Sequence, residues 1–127
     1  MAYMNSSLYQ MIRDDLKRME GQRETVKAGF MEKRMPKSVP ISKLHVNPDD
    51  EFTFPNIGPN DSIVENYSQI ARRNQEMNLN VYPEPIIVNR LKMGDYLILN
   101  GHHRWAGAVK AGVPKVRILV TDPDKVN

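Results

Sequence analysis

Two β-rich runs in the second half of the chain, residues 86–91 and 96–99, lie on either side of a short segment that contains Gly94. Two such runs joined by a glycine-containing connection are typical of an antiparallel β-hairpin. Asn100 and Gly101 follow the second run directly, and the apolar residues after them predict a short helix. A hairpin that leads straight into a helix excludes an all-helical fold and an all-β fold.

The elements around this unit predict a small α/β domain. Gly112 ends the predicted short helix, and residues 116–120 predict a final strand. Upstream, residues 39–46 predict a strand, and Ser62 with Glu65 forms a capping-box pattern that predicts the start of another helix. The apolar face of that helix is predicted to carry Ile63, Tyr67, Ile70, Ala71 and Met77. The predicted fold is α/β, a small mixed sheet with packed helices, preceded by an N-terminal helical arm.

The arm is predicted from residues 5–33, which contain no proline and carry apolar side chains at helical spacing. Its apolar stripe consists of Leu8, Ile12, Leu16, Met19, Val26 and Phe30. Pro36 disfavours helical geometry at the residue before it, so the sequence predicts an amphipathic helical arm over residues 1–37 and a domain over residues 38–127. Docking of the arm on its own domain is favoured. The alternatives are a homodimer formed through the arm and capture of a partner helix.

Composition excludes several classes of protein. The chain has 127 residues, which suits one domain, and no cysteine, which excludes disulfides, thiolate zinc sites and cysteine nucleophiles. No apolar run reaches the roughly 18 residues that a membrane helix needs, so we expect a cytoplasmic protein without membrane partners. The net charge of +3 lies entirely in residues 1–38, and it supports a nucleic-acid-binding arm only weakly.

The candidate chemistry lies where the second hairpin strand meets the short helix. The first N–H groups of a helix lack internal partners and carry partial positive charge, so they bind anions such as phosphate. Gly101 permits a tight turn there, and Arg104 offers two donors to phosphate oxygens. His102 and His103 can donate hydrogen bonds or carry protons near neutral pH. We therefore predict a phosphate site at Asn100, Gly101, His102, His103 and Arg104.

Two further interpretations concern neighbouring residues. A zinc site with His45 as a third histidine ligand is a weaker alternative, because neither the spacing nor any thiolate supports it. Trp105 shares the short helix with Ala108 and Val109, which favours a core position over a platform for base stacking.

The order of motifs resembles the ParB/sulfiredoxin superfamily, also described as a ParB-like nuclease domain. The resemblance rests on residues 85–90, 96–104 and 111–116, together with an opening strand at residues 39–44 and Asn47-Pro48. It covers about residues 38–120. ParB partition proteins bind CTP and DNA, and they carry Gly-Glu-Arg-Arg where this chain has Gly101-His102-His103-Arg104. They also carry a following helix-turn-helix, for which this chain leaves no room, so operator-specific DNA binding is not expected.

Other branches of the superfamily differ at the same positions. Sulfiredoxins carry a catalytic cysteine where this chain has His102, so that reduction is excluded in a chain without cysteine. Free-serine kinases carry an Asp-Gly-His/Asn-His-Arg-like motif, to which Asn100-Gly-His-His-Arg104 is the most similar. In those kinases an acidic residue after the first strand acts as base. The resemblance therefore implies Asp49, Asp50 or Glu51, of which we select Glu51.

The leading hypothesis is a nucleotide-binding ParB-like module linked to DNA partition or a mobile element. Its ligand would be a nucleoside triphosphate, ATP or CTP, with Mg²⁺, and DNA or a DNA-associated protein would be a further partner. The second hypothesis is a small-molecule kinase or NTPase with Glu51 as base and His103 on the phosphates. The third is a non-catalytic interaction module. Nuclease activity is disfavoured, because no carboxylate cluster has two-metal spacing, and we predict no metal site formed by protein ligands alone.

Overall fold

The computed structural model describes residues 6–123. Its helices and strands, in chain order, are α1 (Ser6–Arg18), β1 (Thr25–Val26), β2 (Lys37–Pro40), β3 (Leu44–His45), α2 (Asp61–Glu76), β4 (Ile86–Leu91), β5 (Tyr96–Asn100), α3 (His102–Ala111) and β6 (Lys115–Thr121). The mixed α/β fold is the one that the sequence predicts. Within this range no helix has the length and apolar character needed to cross a bilayer.

One mixed sheet organises the described residues, with strands in the order β2-β6-β4-β5-β3 and β1 added against β4. The predicted hairpin is confirmed, since β4 and β5 pair antiparallel. β6 runs parallel to β4, and β3 runs parallel to β5. The strand predicted for residues 116–120 is therefore confirmed, and it lies beside the central strand β4.

The single strand predicted over residues 39–46 is wrong. The chain forms β2, then a 3-10 turn over Ile41–Lys43, and then β3. β2 pairs with β6 at one edge of the sheet, whereas β3 pairs with β5 at the other edge. Pro40 cannot donate to a strand partner, and it ends β2 at the edge of the sheet. This crossing brings the residues after His45 close to the end of β5.

The core lies between the sheet and helices α2 and α3. β6 buries alternate residues, as a strand with one covered face does. Trp105 on α3 is 4% exposed and belongs to the main core cluster. The preference for a core position at Trp105 is therefore confirmed.

Helix α2 exists where the sequence predicts it, but its cap and its buried face differ. Asn60, rather than Ser62, caps the helix, and its side chain accepts hydrogen bonds from the backbone N–H groups of Ser62 and Ile63. The helix consequently starts earlier, and the residues that it buries most completely are Val64, Ser68 and Ala71. Ile63 and Met77, which the sequence assigns to the buried face, are exposed.

The helix predicted over residues 5–33 is too long. α1 ends at Arg18, and Gly21 then adopts a left-handed φ of +77° that no helix interior contains. Val26 lies in strand β1, and Phe30 is 69% exposed. The seven-residue gap in the apolar stripe, from Met19 to Val26, is where the helix stops.

The remaining part of the stripe packs within the same chain. Leu8 and Ile12 lie in the main core cluster, and Met19 forms a second cluster with Leu91 and Leu97. These apolar side chains of the stripe, which could have formed a contact between two chains, are therefore buried within a single chain. The division into an arm of residues 1–37 and a domain of residues 38–127, and the homodimer through the arm, stay predictions.

Helices α2 and α3 lie close together at Gly107. A Cβ atom there would lie 2.6 Å from the Cβ of Tyr67 and 2.8 Å from the backbone nitrogen of Ser68. Real side chains do not tolerate such distances, and the backbone of α2 cannot move aside as a flexible side chain would. Glycine is therefore required for this helix contact, which holds α3 in place.

We expect Gly107→Ala to lower the free energy of unfolding by about 1–3 kcal/mol, the usual cost of overpacking a core. A destabilising effect would be informative, because alanine favours the helical conformation over glycine by roughly 1 kcal/mol and would otherwise stabilise the protein. Urea denaturation of the two proteins measures the difference. A variant as stable as the wild type would contradict the close approach of α2 and α3.

Candidate functional site

A cleft of about 300 Å³ opens at the start of α3, between the end of β5 and the start of α2. Its lining combines the predicted phosphate-site residues with side chains of three other segments. The lining residues are Asp50, Ile63, Tyr67, Leu99, Asn100, Gly101, His102, His103 and Arg104. The structure thus brings together all five residues that the sequence assigns to phosphate binding, although their side chains differ in what they can offer.

The start of α3 has the geometry of an open helix N-terminus. Gly101 is the cap residue, with a left-handed φ of +113°, and it supplies no side-chain cap. The first bond within the helix runs from the Trp105 N–H to the Gly101 carbonyl oxygen, over 2.8 Å. The N–H groups ahead of Trp105 therefore lack helical partners and are oriented for an anionic ligand.

His102 is turned away from solvent and serves the fold. Its Nε2 atom accepts a hydrogen bond from the Asn47 N–H over 3.0 Å, which places the ring proton on Nδ1. Nδ1 lies 3.6 Å from Oδ2 of Asp50. Burial lowers the pKa of His102 to about 4, although the Asp50 charge opposes the shift. The His102 side chain is therefore a neutral acceptor. If His102 contributes to the predicted phosphate site, it does so through its backbone N–H.

His103 makes a parallel contact with the other side of the cleft. Its Nε2 atom accepts a hydrogen bond from the Asn60 N–H over 3.0 Å, at the residue that caps α2. Burial lowers the pKa of His103 as well, and the Asp50 charge only partly offsets this. Since Nε2 is an acceptor, the neutral ring carries its proton on Nδ1. The two histidines thus join the start of α3 to two other segments.

Arg104 lies against Gly101 and is largely buried. Its guanidinium donates to the backbone oxygens of Glu84 and Pro85, and to Oδ1 of Asn100. These bonds use at most three of its five N–H donors. A Cβ atom on Gly101 would lie 3.0 Å from a terminal nitrogen of Arg104, so a side chain there would press on the guanidinium as well as strain the left-handed backbone.

The carboxylate in the cleft is Asp50. Its Oδ2 atom also accepts a hydrogen bond from the Phe52 N–H, which fixes the side chain. Glu51, the residue selected from the sequence, is exposed and does not line the cleft. Asp49 is exposed too. The geometry therefore favours Asp50 among the three acidic candidates, and the catalytic roles of Glu51 and His103 stay predictions.

A second buried polar cluster, which the sequence analysis missed, lies beside the cleft. His45 bonds Oδ1 of Asp15 through Nδ1 over 2.8 Å, and Oδ2 of Asp95 through Nε2 over 2.7 Å. Both ring nitrogens are occupied, so His45 is not available as a zinc ligand with His102 and His103. Across residues 6–123 no three His, Asp or Glu side chains are grouped to hold a metal ion.

A signal for this cluster was present in the sequence. Asp15 stands seven residues after Leu8, three after Ile12 and four before Met19, so it falls on the apolar face of α1. An acidic residue within an apolar stripe requires a buried partner. The sequence gives no indication that the partner is His45, because that contact forms between distant segments.

The fold and the cleft define a small α/β domain with a helix N-terminus that has no side-chain cap and directly follows a β-hairpin. The sequence profile of the ParB N-terminal domain matches residues 62–127, just over half of the chain. This chain therefore belongs to the ParB N-terminal domain family. The matched segment contains all of α2 after its first residue, the hairpin, α3 and β6, and so includes most of the cleft.

Two solved structures and one curated protein are similar to this chain. The chain is similar to the C-terminally truncated chromosome-partitioning protein ParB from Caulobacter crescentus complexed with CTP-gamma-S, at 29% identity and a TM-score of 0.56 over 72% of this chain. The same protein complexed to the centromeric parS site matches at 28% identity and a TM-score of 0.53 over 70% of this chain. The uncharacterized protein MJ0188 of Methanocaldococcus jannaschii is 51% identical over 45 residues, which make up 33% of this chain.

The chain spans less than half the length of these relatives. It covers 46% and 42% of the two ParB chains and 17% of MJ0188.

Acidification should destabilise the protein through His102. Between about pH 6.5 and pH 4 the unfolded chain binds a proton at this residue and the folded chain does not, so stability falls as pH falls. The loss should approach about 3 kcal/mol across that window. Chemical denaturation between pH 7 and pH 4.5 measures it.

His102→Gln is the matched variant for this test, because glutamine keeps an acceptor for the Asn47 N–H and does not titrate. The variant should show a shallower dependence of stability on pH. Identical slopes in the two proteins would show that His102 is not the titrating group.

Proposed function

We propose that this chain binds a nucleoside triphosphate, with its phosphates at the start of α3, as part of a ParB-like DNA-partition protein. The observation that carries the proposal is the cleft at Gly101, where an uncapped helix N-terminus and Arg104 face a space of about 300 Å³. That volume lies at the lower end of small-ligand sites. Similarity to a ParB complexed with CTP-gamma-S supports the choice of ligand.

The charges of the cleft suit a phosphate chain. The α3 dipole and the Arg104 guanidinium both supply positive potential. Arg104 is held by Asn100 and by backbone oxygens, so a ligand meets a guanidinium whose position is already fixed, and little side-chain entropy is lost on binding. Donors that remain on the guanidinium, together with the N–H groups of His103 and Arg104, would bind the phosphate oxygens.

Asp50 gives a reason for Mg²⁺ to accompany the nucleotide. A lone carboxylate beside a phosphate chain is repulsive unless a cation lies between them. Protein-bound Mg²⁺ usually contacts one or two carboxylates together with substrate phosphates. Asp50 fits that pattern, since it lines the cleft beside the start of α3 and would hold the ion there.

The base of the nucleotide and the DNA partner are proposed from the similar solved structures. CTP is the first candidate, because the similar ParB is complexed with CTP-gamma-S, and ATP is the second. A DNA partner is proposed on the similarity to a ParB complexed to the centromeric parS site. A partition role for a chromosome or a mobile element is consistent with both.

Calorimetry with CTP, ATP and GTP in the presence of Mg²⁺ tests the proposal. We expect Arg104→Ala to weaken binding by about 1.5–3 kcal/mol, the range for a hydrogen bond to a charged group. Arg73→Ala is the matched control, since Arg73 is an exposed arginine on α2 outside the cleft. Equal affinity in the wild type and Arg104→Ala would contradict the phosphate site.

Arg104 also holds the carbonyl groups of Glu84 and Pro85, so its removal affects the fold. The melting temperature of each variant is therefore measured without nucleotide first. Affinities are then compared at a temperature at which all variants are folded.

A second candidate function, NTP hydrolysis or transfer to a small alcohol, is favoured by the position of Asp50 in the cleft. The oxygen of water or of the alcohol would attack the γ-phosphorus, and the bond to the β–γ bridging oxygen would break. Asp50 would accept the proton of the attacking group. The products would be the nucleoside diphosphate and either inorganic phosphate or a phosphate ester.

Phosphate release with CTP or ATP and Mg²⁺, with and without serine, tests this candidate. If Asp50 is the base, Asp50→Asn should lower turnover by about 10²-fold or more. A loss confined to Glu51→Gln would instead identify Glu51 as the base. Absence of turnover in a wild-type protein that binds nucleotide would exclude the enzyme and leave the binding module.

A further inference from the structure

We propose that Asp15 on α1 is a positioning residue for the cleft, so that docking of α1 and binding in the cleft are coupled. The inference rests on the proposed nucleotide binding for the identity of the ligand. Asp15 and His45 both precede the segment that the ParB N-terminal domain profile matches. The coupling is therefore argued from this chain's own contacts.

The first step joins α1 to β3. Asp15 is 5% exposed, and its two oxygens have separate partners. Oδ1 accepts from Nδ1 of His45, and Oδ2 accepts from the Val46 N–H over 2.9 Å. A buried carboxylate is stable only when it is paired and hydrogen-bonded. If α1 leaves its place, the His45 ring and the Val46 N–H both lose their acceptor.

The second step fixes His45 from the opposite side. Oδ2 of Asp95, in the turn between β4 and β5, bonds Nε2 of His45. Lys43 lies 3.7 Å from Asp95, and Arg18 bonds Asp15 over 3.1 Å. Burial disfavours the charged ring, but the hydrogen bonds and charges of the two carboxylates outweigh it and raise the pKa of His45. Both ring nitrogens also face carboxylate oxygens, which only accept, so this geometry favours the doubly protonated ring that donates from both nitrogens.

The third step leads from β3 to the cleft. Asn47 follows Val46 directly, and its N–H donates to His102 at the start of α3. Asp50, three residues further, lines the cleft and lies 3.6 Å from His102. The backbone N–H held by Asp15 and the backbone N–H held by His102 therefore belong to adjacent residues, Val46 and Asn47.

The consequence is a coupling between two sites that do not touch. If α1 undocks, Val46 loses its acceptor, and the Asn47 N–H is no longer held on the His102 ring. The wall that carries Asp50 then loosens. By linkage, a ligand that binds better to the ordered wall stabilises α1 docking by the same factor.

Asp15→Asn tests the proposal, with Asp14→Asn as the matched control. Asp14 is the adjacent aspartate on α1, is exposed, and bonds the side chain of Gln10. Both variants remove one negative charge from the same helix. We expect Asp15→Asn alone to lower the pKa of His45, measured by NMR titration of the imidazole. It should also speed hydrogen exchange at the Asn47 amide, and it should raise the dissociation constant of CTP with Mg²⁺ by about fivefold or more, the lower end of measured couplings.

The readouts separate the possible failures. If the His45 pKa falls in a folded Asp15→Asn protein while Asn47 exchange stays at the wild-type rate, the coupling is overturned and Asp15 only anchors α1. If wild-type protein binds none of CTP, ATP or GTP, the proposed function fails, and Asn47 exchange still decides whether Asp15 positions the wall.

Two measurements keep the test decisive if Asp15→Asn does not fold. Asp95→Asn removes the opposite carboxylate on a half-buried turn, so His45 is fixed from one side only and holds Asp15, and with it the Val46 contact, less firmly. It should also lower the His45 pKa and speed Asn47 exchange. In the wild type, saturation with CTP and Mg²⁺ should slow exchange of the α1 amides by about the same fivefold factor. Unchanged Asn47 exchange in Asp95→Asn, or unchanged α1 exchange on saturation, would overturn the proposal.

Discussion

Two neutral imidazole rings hold the start of α3, and the geometry of the cleft depends on them. His102 and His103 each use Nε2 to accept a backbone N–H, from Asn47 and from Asn60. An acceptor nitrogen must be unprotonated, and burial keeps both rings in that state. The helix N-terminus is consequently tied to the loop after β3 and to the cap of α2. Its own N–H groups remain for a ligand.

The central part of the fold could be predicted from the sequence because its signals are local. Residues 86–91 and 96–99 flank a short turn, and Gly101 and Gly112 bound α3, so these elements needed no tertiary information. The prediction for the N-terminal third of the chain was wrong, because tertiary contacts determine where this segment leaves the helix. Periodicity continues in a weakened form past Gly21, but that residue leaves the helix and Val26 joins the sheet against β4.

The sequence predicted which residues lie together at the site, but not the directions in which their side chains point. Consecutive helical residues point about 100° apart, so His102 and His103 had to face different partners, and only the fold determines which. Asp50 and Glu51 are indistinguishable by sequence. The 3-10 turn that Asp50 caps directs it into the cleft and leaves Glu51 in solvent. The sequence shows Asp15 as an acidic residue on an apolar helix face. It does not show the link to the cleft, because that link runs through residues 45–47 and the start of α3.

The pKa values of His45 and His102 are shifted in opposite directions, and the two residues are linked through Val46, Asn47 and their hydrogen bonds. The raised pKa of His45 favours the folded state until pH rises through that pKa, after which its bonds to Asp15 and Asp95 lose their charge. The lowered pKa of His102 has the opposite effect and weakens the fold as pH falls below about 6.5. The cleft wall at Asn47 lies between these two residues in the chain of contacts, so it requires both conditions at once. Protonation of His102 as pH falls and deprotonation of His45 as pH rises should therefore each weaken the contacts that hold Asn47. His45 holds α1 through two carboxylates, whereas His102 holds the cleft wall by accepting a backbone N–H.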